Sequence, residues 1–310
     1  MAEHDSLAAL YAQARERGTL IDLSDRAKWH LAGADRIRYL NGQVTNDIRR
    51  ALPGSTLTAC VTTAKGRLSG LIFVSASPDF LRIDADPELR DPLTARLERY
   101  IIADDAALQD TTGDECLFHL LAPAVPEVVA EIRTASRFHR PGFDLIAPRA
   151  EHARLLAALT AHHILIPAQL AETLRIEAGV PRWGAELTED TLPPEAGLEQ
   201  TAIDYQKGCY IGQEVISRIK SLGHVNRQLT GFTASAPLSP GMTLHLDDAP
   251  EKPVGAITSA AWSFGLDTWA ALGYLKRGCA PGAALHARSA DCAPVSVRIR
   301  DLPHVPPPAP

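Results

Sequence analysis

The most informative stretch of this 310-residue sequence runs from Leu174 to Arg227 and reads LRIEAGVPRWGAELTEDTLPPEAGLEQTAIDYQKGCYIGQEVISRIKSLGHVNR. Its second half contains the eight residues KGCYIGQE at positions 207–214, in which Gly208 and Gly212 stand four positions apart. Glycine lets the backbone bend sharply and approach another segment closely, so the side chains between the two glycines can be presented at a surface. The stretch therefore predicts a shaped loop that carries a functional site.

Cys209 and Lys207 are the candidate catalytic residues of this loop. The apolar spacing from Ile211 to Ile219 fits a short helix, although the VISRI stretch fits a strand equally well. If the segment is a helix, Cys209 lies just ahead of its N-terminus with Lys207 two residues away, and both features favour the thiolate. The alternative is a buried cysteine that only fills space in the core.

The same region is locally cationic. Lys207, Arg218, Lys220 and Arg227 stand against Glu214, which gives a net charge of +3 in a chain whose formal net charge is −6. Such a patch can recognise a carboxylate tail or a phosphate. A solvated helix face would have the same sequence pattern.

Glu177 is a candidate binding residue within LRIEAG. Leu174 and Ile176 alternate with it, which predicts a strand with Glu177 on the opposite face. A carboxylate there can accept two hydrogen bonds from a planar N–C–N donor edge, such as that of an aminopyrimidinone ring. An ordinary surface glutamate is the alternative. Tyr210 and Trp183 are candidate stacking walls, with packing anchors as the alternative.

Composition limits the possible classes of protein. With 45% hydrophobic and 22% charged residues over 310 positions, the chain is expected to form two or three globular domains. No apolar run approaches the roughly 20 residues of a membrane span, and the N-terminus lacks the pattern of a signal peptide, so a cytoplasmic location without membrane association is expected.

Common motifs for cofactors and metals are missing from the sequence. The five cysteines are scattered and form no C-x-x-C pair, which argues against a disulfide framework and a closed zinc site, and no metal site is predicted. There is no G-x-G-x-x-G, Walker loop, G-x-S-x-G or H-E-x-x-H. Nicotinamide-binding, NTPase and common hydrolase functions therefore lack their usual motifs.

The alternation of strand and helix patterns predicts an α+β class with two α+β units and a small C-terminal β-barrel. The expected domains are 1–113 and 114–165 for the two units, 166–227 for a return to the first, 228–303 for the barrel and 304–310 for a disordered tail. Predicted helices are Leu7–Arg17, Ala34–Leu40, Leu93–Ile101, Val125–Ile132 and Glu151–Ala161. Predicted strands are Leu57–Val61 and Leu68–Val74, paired as a hairpin, with Cys116–Leu121 and Phe143–Ile146.

Four motifs together resemble a known family. KGCYIGQE and LRIEAG, with LNGQVTND at 40–47 and TTAKGR at 62–67, are similar to the YgfZ-type folate-binding proteins, which are relatives of the glycine cleavage system T-protein. The resemblance extends from about Asp22 to the β-rich end. It implies a T-protein-like fold around a central folate pocket. It also implies tetrahydrofolate or a derivative as the ligand, and a role in assembling or repairing iron–sulfur enzymes, including tRNA-modifying ones.

The resemblance also assigns residues. Glu177 matches the T-protein glutamate that reads the pterin, while Lys207 and Cys209 match signature positions thought to matter for function. Tyr210, Gln213 and Arg218 are the further candidates for folate binding. Folate and iron–sulfur client proteins are the expected partners.

One departure from the T-protein bears on whether the protein is an enzyme. The T-protein has an acidic pair in the strand that here reads KGRLSGLIFV, and Ser69 and Gly70 occupy those places. Neither can supply the negative charge that aminomethyl transfer needs near the folate. This favours binding without T-protein chemistry. A folate-dependent aminomethyl or one-carbon transferase that uses Cys209 or Asp47 is the alternative, and direct RNA binding is the least favoured function because charge and aromatic content are low.

Overall fold

The computed structural model describes residues 2–279, 284–290 and 292–305. The helices are α1 (Ala2–Arg17), α2 (Arg36–Gln43), α3 (Arg90–Glu98), α4 (His152–Thr160), α5 (Ala168–Ala178), α6 (Glu199–Ala202) and α7 (Gln213–Leu222). The strands are β1 (Thr19–Asp22), β2 (Ala27–Ala32), β3 (Leu57–Thr62), β4 (Leu68–Ala76), β5 (Phe80–Ala85), β6 (Ala107–Asp110), β7 (Glu115–Leu121), β8 (Glu131–Ala135), β9 (Gly142–Pro148), β10 (Ile164–Leu165), β11 (Arg227–Ala234), β12 (Thr243–Leu246), β13 (Ala249–Ser263), β14 (Thr268–Lys276), β15 (Leu285–Arg288) and β16 (Val295–Arg300).

The first sheet has the strand order β3-β4-β5-β2-β6. The predicted hairpin is confirmed, because β3 and β4 pair antiparallel with Leu57 opposite Val74. Trp29, Leu40, Ile72 and Leu93 are buried together, so α2 and α3 cover one face of this sheet. Burial of one large apolar side chain contributes roughly 1.5–3 kcal/mol to the free energy of unfolding. This cluster therefore stabilises the sheet that carries the neighbouring loops.

The second sheet has the order β10-β1-β7-β9-β8 and packs against α4 through Leu155 and Leu159. The helix predicted over Val125–Ile132 is wrong, because Glu131 already begins β8, which pairs with β9. Pro126 explains the difference, since proline lacks an amide hydrogen and biases the preceding residue toward extended backbone. The boundary expected at residue 113 does not separate the two sheets, because β1 pairs with β7.

The third unit is a closed barrel of order β11-β14-β13-β12-β15-β16, which confirms the barrel predicted over 228–303. The predicted start of the disordered tail at residue 304 is too early, because residues 304 and 305 are held in the structure. His304 is 1% exposed and its Nε2 lies 3.0 Å from the Ala271 carbonyl oxygen, while the amide of Val305 donates to the Glu177 carbonyl at 3.1 Å. Residues 306–310 lie outside the described residues.

The strand predicted around Glu177 is a helix. α5 follows Pro167 and ends at Gly179, whose φ of +70° is the left-handed conformation that commonly closes a helix. Leu170 and Leu174, four residues apart, are buried on one face. The six letters LRIEAG alternate by coincidence at the end of this longer helical pattern. Within the described residues, no helix combines the length and apolar character needed to cross a membrane.

Candidate functional site

Three of the sequence motifs meet at one place in the fold. α2 ends at Gln43, so it runs through Asn41 and Gly42, beyond the end predicted at Leu40. The chain then passes through the loop of residues 44–47 toward the first sheet. The turn of residues 207–212, which we call the Cys209 turn, packs against this loop and against the β3–β4 hairpin. The three segments LNGQVTND, TTAKGR and KGCYIGQE therefore form one structural unit.

Lys207 lies at the centre of this unit. Its Nζ donates hydrogen bonds to the carbonyl oxygens of Asn41 at 2.6 Å, Val44 at 2.7 Å and Asn46 at 2.8 Å. The residue is only 5% exposed. The sequence predicts an ammonium displayed in a cationic patch, and this prediction is wrong because backbone carbonyls of α2 and of the loop after it surround the ammonium.

Burial controls the electrostatics of Lys207. Desolvation lowers the pKa of its ammonium to about 8, while the nearby carboxylates of Asp47 and Asp204 act in the opposite direction. Hydrogen bonds from the Arg49 side chain, with Nε at 2.8 Å and Nη2 at 2.7 Å, lower the pKa of Asp47. Asp47 is therefore ionised at neutral pH and is already bound to a guanidinium.

The β3–β4 hairpin holds the far side of the Cys209 turn. The Thr62 hydroxyl donates to the Ile211 carbonyl at 2.5 Å, and the Ile211 amide donates to the Gly42 carbonyl at 3.2 Å. Gly212 has a φ of +89°, and a β-carbon there would lie 2.5 Å from the Thr63 carbonyl oxygen. Glycine is required at this position for both its backbone conformation and its close contact.

Cys209 is exposed and lies between the two anchored ends of its turn. The segment after it is the helix α7, which settles the choice that the VISRI pattern left open. Tyr210 is 8% exposed, and the Lys207 Nζ lies 5.2 Å from its ring centroid. Its hydroxyl oxygen is buried without a hydrogen-bond partner in the described part of the chain, and burial raises its pKa to about 12. The ring of Tyr210 therefore packs under the turn, away from solvent.

Gln213 and Arg218 lie on α7. Gln213 is its first residue and is half-buried, whereas Arg218 is exposed. Lys220, two residues nearer the C-terminus, is also exposed, and its Nζ lies 4.9 Å from the ring centroid of Tyr205. Of the four predicted patch cations, Arg218 and Lys220 are the two that face solvent openly.

Glu177 lies apart from these residues. It is 3% exposed, and both carboxylate oxygens accept hydrogen bonds from this chain. Oε2 accepts from the Tyr11 hydroxyl at 2.8 Å, and Oε1 accepts from the Ser263 hydroxyl at 2.6 Å and the Gly265 amide at 3.1 Å. These bonds join α1, α5 and the barrel. Both carboxylate oxygens of Glu177 are thus already hydrogen-bonded within the chain, and its contact with a pterin stays a prediction.

A cavity of about 1150 Å³ opens between α6, α7 and the barrel. Its acidic lining residues are Glu199 and Asp301. The cationic lining residues are more numerous: Lys220, Arg227, Lys276, Arg277 and Arg300. The last three could not be predicted from the sequence because they lie far along the chain from KGCYIGQE. Strand pairing brings them in, since Arg227 stands opposite Lys276 and Gly231 stands opposite Arg300.

The Cys209 turn contributes none of the described residues that line this cavity. α7 connects the two features, because it begins after Gly212 and reaches the cavity wall at Ile219 and Lys220. The described residues contain no group of three histidine, cysteine, aspartate or glutamate side chains placed to hold a metal ion.

The positions that replace the T-protein acidic pair lie on β4. Gly70 faces α3, and a β-carbon there would lie 3.0 Å from Leu93 and 3.1 Å from Leu89. Ser69 is half-buried on the other face of the strand. A carboxylate at position 70 would point into hydrocarbon, where an unpaired charge is strongly disfavoured.

Known proteins are similar to this chain in sequence. Residues 227–305 match the family of the glycine cleavage T-protein C-terminal barrel domain. The tRNA-modifying protein YgfZ of Escherichia coli O157:H7 is 30% identical over 248 residues, which cover 74% of this chain and 76% of that protein. The YgfZ of Serratia proteamaculans is 33% identical over 231 residues, which cover 68% and 69%.

More distant similarities extend over most of the chain. A putative chloroplastic transferase of Arabidopsis thaliana is 25% identical over 285 residues, and the match spans 83% of this chain and 65% of the plant protein. The crystal structure of the glycine cleavage system aminomethyltransferase T from Bartonella henselae superposes with a TM-score of 0.85 at 16% identity, covering 96% of this chain and 89% of that one. The expected T-protein-like fold is therefore confirmed.

Replacing Gly212 with alanine tests the packing of the turn. We expect Gly212→Ala to lower the free energy of unfolding by about 2–4 kcal/mol, because it combines a left-handed backbone with a contact to the Thr63 carbonyl. Gly208→Ala is the matched control, since a β-carbon there meets nothing within 4 Å. Urea denaturation measures both variants, and equal stability of the two would contradict the packing described.

The buried ammonium gives a pH-dependent prediction. The folded pKa of Lys207, about 8, lies below the ordinary value of 10.5, so the unfolded state binds more protons between these pH values. The free energy of unfolding of the wild type, relative to Lys207→Met, should therefore rise as pH increases through this window, by on the order of 1–3 kcal/mol. NMR titration of the lysine ¹³Cε signals in uniformly ¹³C-labelled protein should show one signal, absent from Lys207→Met, that titrates near pH 8. Titration of that signal at pH 10 or above would refute the assignment.

Proposed function

Because this chain belongs to the family of the tRNA-modifying protein YgfZ, we propose that it is a cytoplasmic folate-binding accessory factor for iron–sulfur enzymes, including those that modify tRNA. Tetrahydrofolate or a derivative is the proposed ligand. The proposed role of the protein is to support assembly or repair of the iron–sulfur enzymes.

The charge of the large cavity is the observation that carries the folate proposal. Ligand sites commonly measure about 300–1,000 Å³, and a cavity of about 1150 Å³ can hold a pteridine with its aminobenzoyl-glutamate extension. Tetrahydrofolate carries two carboxylates on its glutamate. The excess of cations over acids in the lining is complementary to those carboxylates.

Individual cations of the lining differ in availability. Arg227 donates to Glu195 at 2.9 Å, and Lys276 donates to the Pro253 carbonyl at 2.9 Å, so both are already engaged. Arg277 and Arg300 are exposed. Among the described residues, the side chain of neither arginine has a hydrogen-bond or ion-pair partner. A guanidinium can bind a carboxylate through two parallel hydrogen bonds, which adds geometric specificity to the charge attraction. We therefore assign the glutamate carboxylates of the ligand to Arg277 and Arg300.

The Cys209 turn supports the iron–sulfur part of the proposal. Thiolate sulfur is a ligand for iron–sulfur clusters and a good nucleophile. Cys209 is exposed on a turn whose two ends are hydrogen-bonded to the first sheet and α2. A thiol presented in this way can reach a client protein.

The transferase alternative needs a carboxylate that is free to handle a proton near the folate. Asp47 does not meet this need, because the Arg49 guanidinium already holds both of its oxygens. Gly70 faces Leu89 and Leu93, as described above. The available contacts therefore favour binding over aminomethyl transfer.

Calorimetry with tetrahydrofolate tests the ligand assignment. We expect micromolar binding by the wild type and an affinity at least tenfold weaker in Arg277→Ala and Arg300→Ala, because each change removes a carboxylate partner. Lys252→Ala is the control, since this exposed lysine lies on β13 outside the cavity lining. A wild-type dissociation constant in the millimolar range would refute the folate proposal.

Complementation of a deletion strain tests the cellular role. Loss of the gene should lower the activity of iron–sulfur tRNA-modifying enzymes, measured as the level of modified nucleosides in tRNA. Cys209→Ser should fail to restore that level while folding normally, because it removes the thiol from an exposed position. Cys292→Ser, a change at another exposed cysteine, should complement fully. Wild-type nucleoside levels in the deletion strain would remove the assignment.

A further inference from the structure

We propose that Lys207 is a positioning residue, whose ammonium fixes the turn that presents Cys209 and makes no contact with the ligand. This inference rests on the proposed function for the importance of the Cys209 thiol. It assigns the two polar residues of the motif different tasks, although they stand only two positions apart.

All the hydrogen-bond donors of the Lys207 ammonium are used within the protein. An ammonium has three N–H donors, and the carbonyl oxygens of Asn41, Val44 and Asn46 lie at 2.6, 2.7 and 2.8 Å from the Lys207 Nζ. Every donor therefore has a partner in the protein. Lys207 could donate to a ligand only by giving up one of these bonds inside a buried site.

The loop of residues 44–47, which supplies two of the three carbonyl acceptors, is itself fixed. The Thr45 hydroxyl donates to the Ala202 carbonyl at 2.5 Å, and the Thr45 amide donates to the Cys60 carbonyl at 3.0 Å. Asn46 Nδ2 donates to the Thr58 carbonyl at 2.8 Å. The ammonium is thus attached to β3 and α6 through a short loop that is itself hydrogen-bonded to both elements.

The Cys209 turn is held at both of its ends. Lys207 anchors its start, and Ile211 anchors its end through the Gly42 carbonyl and the Thr62 hydroxyl. Gly208 and Cys209 are exposed between the anchors, and Tyr210 is buried. Only three residues lie between the two anchored ends, which leaves the thiol a narrow range of positions.

Arginine should not replace this lysine. Three carbonyl oxygens converge on one point charge, whereas a guanidinium distributes its donors over a planar fork. Lys207→Arg keeps the positive charge and loses the geometry. The variant therefore separates a positioning role from a role that needs charge alone.

A nitroxide spin label on Cys209 tests the proposal in the full-length protein. Cys279 and Cys292 are replaced by serine so that, of the five cysteines, Cys209 is labelled while Cys60 and Cys116 remain buried. We expect the rotational correlation time of the label to fall at least twofold in Lys207→Met and Lys207→Arg. Lys252→Met, a change at an exposed lysine of β13, should leave the spectrum unchanged.

A second variant covers failure of the Lys207 variants to fold. Asn46→Ala removes the hydrogen bond from the Asn46 side-chain amide to the Thr58 carbonyl while keeping Lys207, and it should also mobilise the label. In unlabelled protein, tetrahydrofolate affinity should stay within twofold of wild type in Lys207→Arg, while complementation falls to the level of Cys209→Ser.

The outcomes distinguish this proposal from the proposed function. An unchanged label spectrum in the folded Lys207 variants would refute the positioning role, as would restored complementation by Lys207→Arg. A tenfold loss of folate affinity in Lys207→Arg with an unchanged spectrum would place the lysine in ligand binding instead. Failure of the wild type to bind tetrahydrofolate would refute the folate assignment and leave the spin-label result to decide the role of Lys207.

Discussion

A single buried ammonium connects the parts of this protein that carry its family motifs. Lys207 is surrounded by carbonyls where α2 ends, and a buried charge of this kind is tolerated only when its donors are satisfied. The loop of residues 44–47 must therefore take a shape that offers its carbonyls inward. That shape in turn determines where α6 and the β3–β4 hairpin can lie, because Thr45 bonds to the backbone of both.

The structure separates two features that the sequence places side by side. KGCYIGQE leads directly into α7, so the sequence alone favours a single binding site for the whole segment. In the fold, the start of the segment holds a thiol at the surface and the end of α7 forms part of a cationic cavity. Under the proposed function, ligand binding and thiol chemistry depend on residues that do not overlap, so a substitution at one site leaves the other intact.

Patterns of local origin were predictable from the sequence. The β3–β4 hairpin and the barrel follow from alternation and turn residues, which depend on near neighbours in the chain. Glu177 was misplaced because six alternating letters hid the end of a helix. The environment of Lys207 could not be predicted, because it is built from backbone carbonyls more than 160 positions away, and these leave no trace in residue type. Arg277 and Arg300 reach the cavity only through barrel pairing, which periodicity does not specify.

The hydrogen bonds of Glu177 have a consequence for the architecture as a whole. One carboxylate on α5 accepts from Tyr11 of the N-terminal helix and from Ser263 and Gly265 at the β13–β14 connection. The first helix thus joins the body to the barrel through this carboxylate. Without α1, Oε2 of Glu177 would lose the Tyr11 hydroxyl, and a buried acceptor left without a donor would weaken the contact between α5 and the barrel.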